Sequence, residues 1–360
     1  RECRSFLYDL ERSECMPTIS FFEVEPWEKD YLTKAMQQVD RKFVNGLSLT
    51  FCEDTLTPKN VTDYKDAQVL SVFIFSKIDK SILDALPNLK HINTMSTGFD
   101  HIALAECAKR NITVSNVPSY GENTVAEHAF ALLLALSRKI VPSVMQTRRG
   151  KFDTGPALRG FDLKGKTIGV IGTGRIGRNA IKYAKGFDMN VIAFDAFPSE
   201  QAAKDLGFTY EKDLNKFLGM CDILTLHAPE LPSTHHMINM KNIDMIKHGC
   251  VLINTARGGL IETRALVHGL NTGIFSALGL EGFEEETGMK NEKSMLDADD
   301  TKADMKVMML QHTLLEYDNV IITPHNAFNS AEALRRILDT SVQNVGAFLQ
   351  RAPINLVKTQ

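Results

Sequence analysis

Arg257, Glu286 and His325 are charged residues that each lie at or just past the C-terminal end of a short apolar run that reads as a strand. Arg257 sits in Asn254-Thr-Ala-Arg-Gly-Gly, Glu286 closes Glu281-Gly-Phe-Glu-Glu-Glu, and His325 sits in Thr323-Pro-His-Asn-Ala-Phe328. Ligands of open α/β sheets bind outside the carboxyl ends of the strands, so the three can converge on one small molecule. A planar guanidinium grips a carboxylate with two parallel hydrogen bonds. An imidazole titrates near neutrality and can pass a proton to a carbonyl oxygen. A carboxylate next to that ring favours its protonated form. Such a set suits hydride transfer to or from a 2-oxo or 2-hydroxy acid.

A hydride donor needs its own site, and the chain carries a candidate. Gly172-Thr-Gly174-Arg-Ile-Gly177 follows an apolar run, Thr167–Ile171, and opens a helical pattern. The first glycine permits a tight turn, the second lets the backbone approach a pyrophosphate, and the third lets helix and strand pack. The helix N-terminus then presents free N–H groups and a positive dipole end. Asp195 ends the next strand, 21 residues beyond Gly174, close to the ~20 expected for a ribose-hydroxyl partner. A carboxylate there repels a 2′-phosphate, so NAD is expected rather than NADP.

The elements that position these residues alternate between short apolar runs and helical stretches, the signature of parallel sheets covered by helices. Strands are expected at Thr18–Val24, Leu47–Phe51, Val69–Phe75, His91–Met95 and Ile112–Asn116, with helices at Glu25–Val39, Ser81–Leu86 and Ala103–Lys109. Pro118, Ser119 and Gly121 break the rhythm. A long helix is expected from about Thr124 to Ser137, with Thr124 and Glu127 spaced as a capping box. Residues 138–163 read as a connection. Further strands are expected at Thr167–Ile171, Asn190–Phe194, Ile223–His227, Cys250–Thr255, Ser276–Leu280 and Val320–Thr323. Residues 287–315 read as an insertion with some helix. Ser330 caps a final amphipathic helix with Leu334, Ile337, Leu338, Val345 and Phe348 on one face.

The 360 residues suggest about two domains. With 44% hydrophobic and 24% charged residues the composition is globular, which excludes disorder and a disulfide-stapled miniprotein. The net charge of −3, without a basic run, argues against nucleic-acid or anionic-membrane partners. None of the six cysteines lies in a CxxC pair, so no metal site of the usual zinc spacing is expected, and free thiols fit the cytoplasm. The longest apolar run, Ala129–Leu136, is far short of the ~18 residues of a membrane span. The first 15 residues are too charged for a secretory signal. Met16 opens a strand pattern, so residues 1–15 are expected to be a leader or extension.

From about Thr18 to Val357 the chain resembles the NAD-dependent D-2-hydroxyacid dehydrogenases, and within them the D-lactate branch. The resemblance rests on Asn93-Thr-Met-Ser-Thr-Gly-Phe-Asp-His101, Val117-Pro-Ser-Tyr-Gly-Glu-Asn-Thr-Val-Ala-Glu-His128, Gly169–Gly177, Leu252–Gly259 and Ile322–Phe328. It implies an α/β fold of two Rossmann-like or flavodoxin-like lobes, with parallel sheets and an active-site cleft between them. Residues 16–117 plus 330–360 would form the substrate domain and 118–329 the NAD-binding domain. Arg257 would hold the substrate carboxylate and carbonyl, His325 would be the acid/base and Glu286 its partner, with Glu284 the neighbouring alternative. Arg175 and Ile176 would lie against the pyrophosphate, and Asp195 on the adenosine ribose. Ala228, Pro229 and Thr234 would line the cofactor groove, with Thr255 and Ala256 on the nicotinamide side. Backbone amides around Ser96, Thr97 and Gly98 would bind the carboxylate, while Tyr120 and Phe328 would wall the substrate side chain. A homodimer, paired through the nucleotide domain and the long helix, is implied as well.

The resemblance also implies departures. Glu281 stands where the family usually has Asp to hold the nicotinamide amide, and Gly282 follows where a β-branched residue is usual. Tyr120 and the His-x-Ala-Phe sequence favour a small substrate such as pyruvate. The Ser96–Asp100 loop carries no Lys or Arg to receive a phosphate. Two alternatives stay open at this point: an enzyme for a bulkier 2-oxo acid, and a non-catalytic NAD sensor of the corepressor kind, since such corepressors share the scaffold and the trio.

Overall fold

The computed structural model describes residues 16–40, 46–284 and 302–358. In chain order the elements are β1 (Thr18–Phe21), α1 (Pro26–Asp40), β2 (Ser48–Phe51), β3 (Val69–Val72), α2 (Lys80–Asp84), β4 (His91–Thr94), α3 (Leu104–Lys109) and β5 (Thr113–Ser115). Next come α4 (Glu122–Ser137), α5 (Ile140–Arg148), β6 (Thr167–Ile171), α6 (Arg175–Gly186), β7 (Asn190–Phe194), α7 (Glu200–Leu206), β8 (Thr209–Tyr210) and α8 (Leu214–Met220). The chain closes with β9 (Ile223–Leu226), β10 (Cys250–Asn254), α9 (Thr263–Asn271), β11 (Phe275–Glu281), α10 (Lys302–Leu315), β12 (Val320–Thr323) and α11 (Ala331–Leu349). The described residues form two compact units, one of those up to Tyr120 with those from Ser330 on, the other of those from Gly121 to Asn329.

The first unit holds a five-stranded parallel sheet of order β2-β1-β3-β4-β5. Val69–Val72 and His91–Thr94 are buried throughout, as strands covered on both faces must be. α11 packs its Ala333, Ile337, Leu338, Val345 and Leu349 inward. It is capped as expected, with Ser330 Oγ accepting from the Ala333 amide. Two buried polar residues of α11, Ser341 and Asn344, were not anticipated. Asn344 donates through Nδ2 to Asn93 Oδ1 and to the Asn116 carbonyl, both at 2.8 Å, and accepts from Asn355 Nδ2. That network pins the chain leaving β4 and β5 against the last helix.

The second unit holds a seven-stranded parallel sheet of order β12-β11-β10-β9-β6-β7-β8. The order reverses between β6 and β9, which opens a crevice at their carboxyl ends. One core cluster lies between this sheet and α4 and α6, a second on the face of α8 and α9. Gly169 in β6 is required by close packing: a Cβ there would stand 2.3 Å from Cys221 Sγ.

Some expectations need correction. Thr124 and Glu127 form no capping box; α4 starts two residues earlier, with Gly121 at the cap position and no side chain capping it. Glu122 lies in its first turn, where a carboxylate meets the positive dipole end, and Glu127 is turned to Asn123 and Tyr183. Residues 138–163 are not only a connection, since they contain α5. Its Ile140, Val141, Val144 and Met145 are exposed, so the stretch lacks the buried stripe by which a helix is read. β1 and β3 end earlier than their apolar runs. Glu23, in the left-handed region at φ 60°, turns the chain, and its carboxylate accepts from the Phe73 and Phe75 amides and the Ser76 hydroxyl. β8 was not anticipated, being a two-residue strand on the sheet edge. Of the expected insertion, 302–315 is α10 and 287–301 lies outside the described residues, as does the expected extension 1–15.

Candidate active site

The glycine loop is built as its pattern demands. Gly172 has φ 88°, and a Cβ on it would stand 2.8 Å from the His227 carbonyl. A Cβ on Gly177 would lie 2.0 Å from the Gly172 carbonyl oxygen. Around Gly174 there is no atom within 4 Å of that position, which leaves open space at the start of α6. Asp195, just beyond β7, faces this loop. Its Oδ2 accepts from the Thr173 amide (2.6 Å) and hydroxyl (2.7 Å), and its Oδ1 from the Phe197 amide. Burial raises this carboxyl, but those bonds and the charge of Arg178 outweigh it and hold the group below the usual Asp range. Three of about four acceptor positions are used, which leaves room for one hydroxyl. Arg175 is largely exposed and paired with Glu122 at 3.1 Å, while Ile176 packs on the α4–α6 core.

The Thr173 and Tyr210 contacts were not anticipated. Thr173 Oγ1 also lies 2.8 Å from Tyr210 Oη, so the loop, β7 and β8 are tied together. The x positions of a glycine motif carry no signal for this.

Past β9 the chain runs through His227, Ala228 and Pro229. His227 Nε2 lies 3.0 Å from Thr225 Oγ1, and desolvation pushes the ring down to about 4. A neutral imidazole therefore lies beside the glycine loop at physiological pH. Thr234 donates to the Pro229 carbonyl at 2.7 Å and accepts from the Leu231 amide, which closes the loop after Pro229.

Past β10 the turn that carries Arg257 is shaped by Asn254. Its Oδ1 accepts from the Ala256 amide and its Nδ2 donates to the Arg257 carbonyl at 2.8 Å. The guanidinium donates through Nη1 to the Ala256 carbonyl. Gly258 presses on the next loop so closely that a Cβ would lie 2.1 Å from the Phe283 carbonyl carbon. The Arg257 turn is thus seated on the segment after β11.

That segment starts with Glu281, which is buried. Its Oε1 accepts from the Asn326 amide at 2.5 Å, and its Oε2 lies 2.8 Å from His128 Nε2 on α4. His128 Nε2 also lies 3.1 Å from Thr323 Oγ1. The residue before Asn326 is His325, held at φ 52° with its amide bonded to the Thr323 carbonyl. Ala327 is buried and Phe328 half-buried. Glu286 lies outside the described residues. Its alternative, Glu284, accepts from the Thr263 amide and hydroxyl and contacts His236. Burial raises the Glu284 carboxyl, but these bonds and the imidazole beside it hold it below the usual Glu range. Both its oxygens are therefore engaged on α9 and the 229–237 loop.

In the first unit, Ser96 Oγ donates to the Gly98 carbonyl at 2.6 Å and Thr97 Oγ1 to the Val117 carbonyl at 2.8 Å. The hydroxyls thus stiffen this loop. Arg336 donates to the Tyr120 carbonyl.

Thr255 Oγ1 and Asn326 Oδ1 are buried without a hydrogen-bond partner. Orphaned buried acceptors are costly, and an amide-bearing ligand would satisfy them. Together with the open space at Gly174, this fits a nicotinamide dinucleotide. Residues 130–327 match the model of the D-isomer specific 2-hydroxyacid dehydrogenase, NAD binding domain.

The chain belongs to that family, and its cofactor is NAD. It is 33% identical over 319 residues to D-lactate dehydrogenase of Escherichia coli, covering 88% of this chain and 93% of that one. Over 292 residues it is 35% identical to a glyoxylate reductase of Thermofilum pendens, covering 79% of each. The structure of Aquifex aeolicus D-lactate dehydrogenase with NAD and lactic acid superposes with a TM-score of 0.80 at 34% identity, over 93% of this chain and 96% of that one. The protein is an NAD-dependent D-2-hydroxyacid dehydrogenase.

Proposed function

We propose that this dehydrogenase interconverts pyruvate and D-lactate. The observation that carries the reading is the Ser96–Asp100 loop. Its hydroxyls are turned to backbone carbonyls, Ser96 to Gly98 of the loop and Thr97 to Val117 beyond it, and it contains no Lys or Arg, so it offers no counter-charge to a phosphorylated substrate. The E. coli and Aquifex relatives, both D-lactate dehydrogenases, support the same choice.

NADH, when bound, supplies the hydride. Gly172, Gly174, Arg175, Ile176 and Gly177 would hold its pyrophosphate and Asp195 its ribose. Ala228, Pro229 and Thr234 would line its groove, and Thr255, Ala256 and Glu281 would face its carboxamide end. Arg257 would fix the pyruvate carboxylate through two parallel bonds. The His325 imidazolium would donate its proton to the carbonyl oxygen, and in the reverse direction the neutral ring would take it from the D-lactate hydroxyl. Glu286 is the proposed partner of that ring. Ser96, Thr97 and Gly98 are proposed to meet the substrate carboxylate, and Tyr120 and Phe328 its methyl group.

NADH oxidation followed with pyruvate, 2-oxoisocaproate, phenylpyruvate, glyoxylate and hydroxypyruvate, with chiral analysis of the product, tests this. Highest kcat/KM for pyruvate with a D product is expected. A preference for a branched or aromatic acid would overturn the substrate and keep the mechanism.

The homodimer is proposed on the second unit, where Ile140, Val141, Val144 and Met145, spaced to share one face of α5, are exposed. Apolar groups gathered on one surface mark an interaction site. The free thiols of Cys52, Cys107, Cys221 and Cys250 support a cytoplasmic setting. Among the described residues no single helix is long and apolar enough to cross a membrane.

A further inference from the structure

The loop after β9 carries two adjacent histidines that the dehydrogenase chemistry does not use. His235 and His236 stack with ring centroids 3.9 Å apart. Among the described residues, one ligand atom from each of His235, His236 and Glu284 lies within 4.8 Å of the other two. The backbone beneath is fixed from several sides. The His236 amide donates to the Gly259 carbonyl at 2.8 Å, and Asn239 Nδ2 donates to the His236 carbonyl at 2.7 Å. His236 is held in the left-handed region at φ 50°, a conformation that a bulky residue keeps only where its surroundings over-determine it. Glu284 is fixed by the Thr263 amide and hydroxyl.

A fourth group completes the arrangement. Glu230 Oε1 lies 3.1 Å from His235 Nδ1. A carboxylate there places the ring hydrogen on Nδ1 and leaves the lone pair on Nε2, the usual outer support of a metal-bound imidazole. Only glycine at 259 permits this seat, since a Cβ there would lie 2.0 Å from Glu230 Oε1.

We infer that His235, His236 and Glu284 form a binding site for one divalent transition cation, with Glu230 orienting His235. Two imidazole nitrogens and one carboxylate oxygen are the donor set of zinc, and they select against magnesium and calcium, which take oxygen ligands. Metal–ligand distances of about 2.0–2.2 Å set ligand atoms roughly 3.4 Å apart in a tetrahedron. Side-chain shifts of about 1 Å therefore close the site, and water takes the fourth position. His236 and Glu284 face each other directly, so the cation enters between them and takes the place of that contact. The site stands on the segment that follows Arg257, yet it is independent of the substrate assignment, because it is read by cation binding without coenzyme or substrate.

The test is calorimetric titration of the chelator-treated full chain with Zn2+, alongside Mg2+ as the unsuited cation. One Zn2+ per chain is expected for the wild type and no heat for Mg2+, with affinity lowered about tenfold or more in His235→Asn and Glu284→Gln. His236→Asn serves as a third variant whose residue tolerates the left-handed backbone. Cu2+ loaded at the site and examined by electron paramagnetic resonance should show coupling to two imidazole nitrogens, reduced to one in His235→Asn. No Zn2+ binding to the wild type, affinity unchanged in the variants, or a Cu2+ spectrum without imidazole nitrogen would each overturn the site.

Discussion

Glu281 accepts a hydrogen bond at 2.5 Å from the backbone amide of Asn326, the residue that follows His325. The longer side chain, in place of the Asp usual in the resembling family, thus anchors the loop on which the proposed acid/base sits. His128 Nε2 lies 2.8 Å from the other oxygen. Shortening it in Glu281→Asp withdraws the anchor from the amide while keeping the charge. A hydrogen bond to a charged group contributes about 1.5–3 kcal/mol, so kcat should fall roughly 10- to 100-fold. Glu281→Gln keeps the reach and should retain more activity than Glu281→Asp. If Glu281→Asp equals the wild type, the loop is positioned by other contacts.

Asp195 is tied to the glycine loop through Thr173. Asp195→Ala releases that loop and removes the charge that repels a 2′-phosphate. The KM for NADH should rise about tenfold or more, and the ratio of NADPH to NADH use should rise with it. The same carboxyl is depressed in the folded chain. Its contribution to stability is therefore present above the ordinary Asp value and is lost as pH falls through the lower folded value. Steady-state kinetics with both coenzymes and acid unfolding of the variant check the two parts. An unchanged coenzyme ratio would remove Asp195 from the ribose site.

The framework of the candidate site was legible in the sequence, and the reason differs by residue. Gly172, Gly174 and Gly177 are set by backbone geometry, and their spacing states it. Arg257 and His325 are marked because each follows a strand whose end is clear. Glu281–Asn326 and Asp195–Thr173 were not legible, because partners 45 and 22 positions apart meet only through the sheet order. α5 escaped because its apolar face is not buried in this chain, and Asn344 because a polar residue on a core face breaks the pattern that identifies the helix.

Two histidines make stability depend on pH. Burial pushes His91 down to about 3 and His227 down to about 4. In the unfolded chain both titrate near 6.5. Between these values the unfolded state binds more protons, so stability falls as pH drops below about 6.5, by a few kcal/mol per ring by about pH 4. Urea unfolding from pH 7.5 to 5 should show this slope, and His91→Gln should flatten it. An identical slope in the variant would show that His91 is not its source.

Val144 lies on the exposed apolar face of α5. Val144→Glu places a charge in the proposed dimer contact, where an unpaired buried carboxylate is disfavoured. Light scattering should report a dimer for the wild type and a monomer for the variant. A wild-type monomer, or a variant dimer, would place the interface elsewhere or remove it.

The central claim is that His325 carries the proton in the reduction of pyruvate. His325→Asn is the direct test, because Asn tolerates the left-handed backbone seen at φ 52° and cannot serve as the acid. Pre-steady-state reduction of pyruvate by NADH should slow by about 10²–10⁴-fold, with NADH affinity measured by fluorescence unchanged. The wild-type kcat/KM for pyruvate should decline as pH rises, and that decline should be absent in the variant. A variant within about threefold of wild type, or one that keeps the same pH profile, would contradict the assignment.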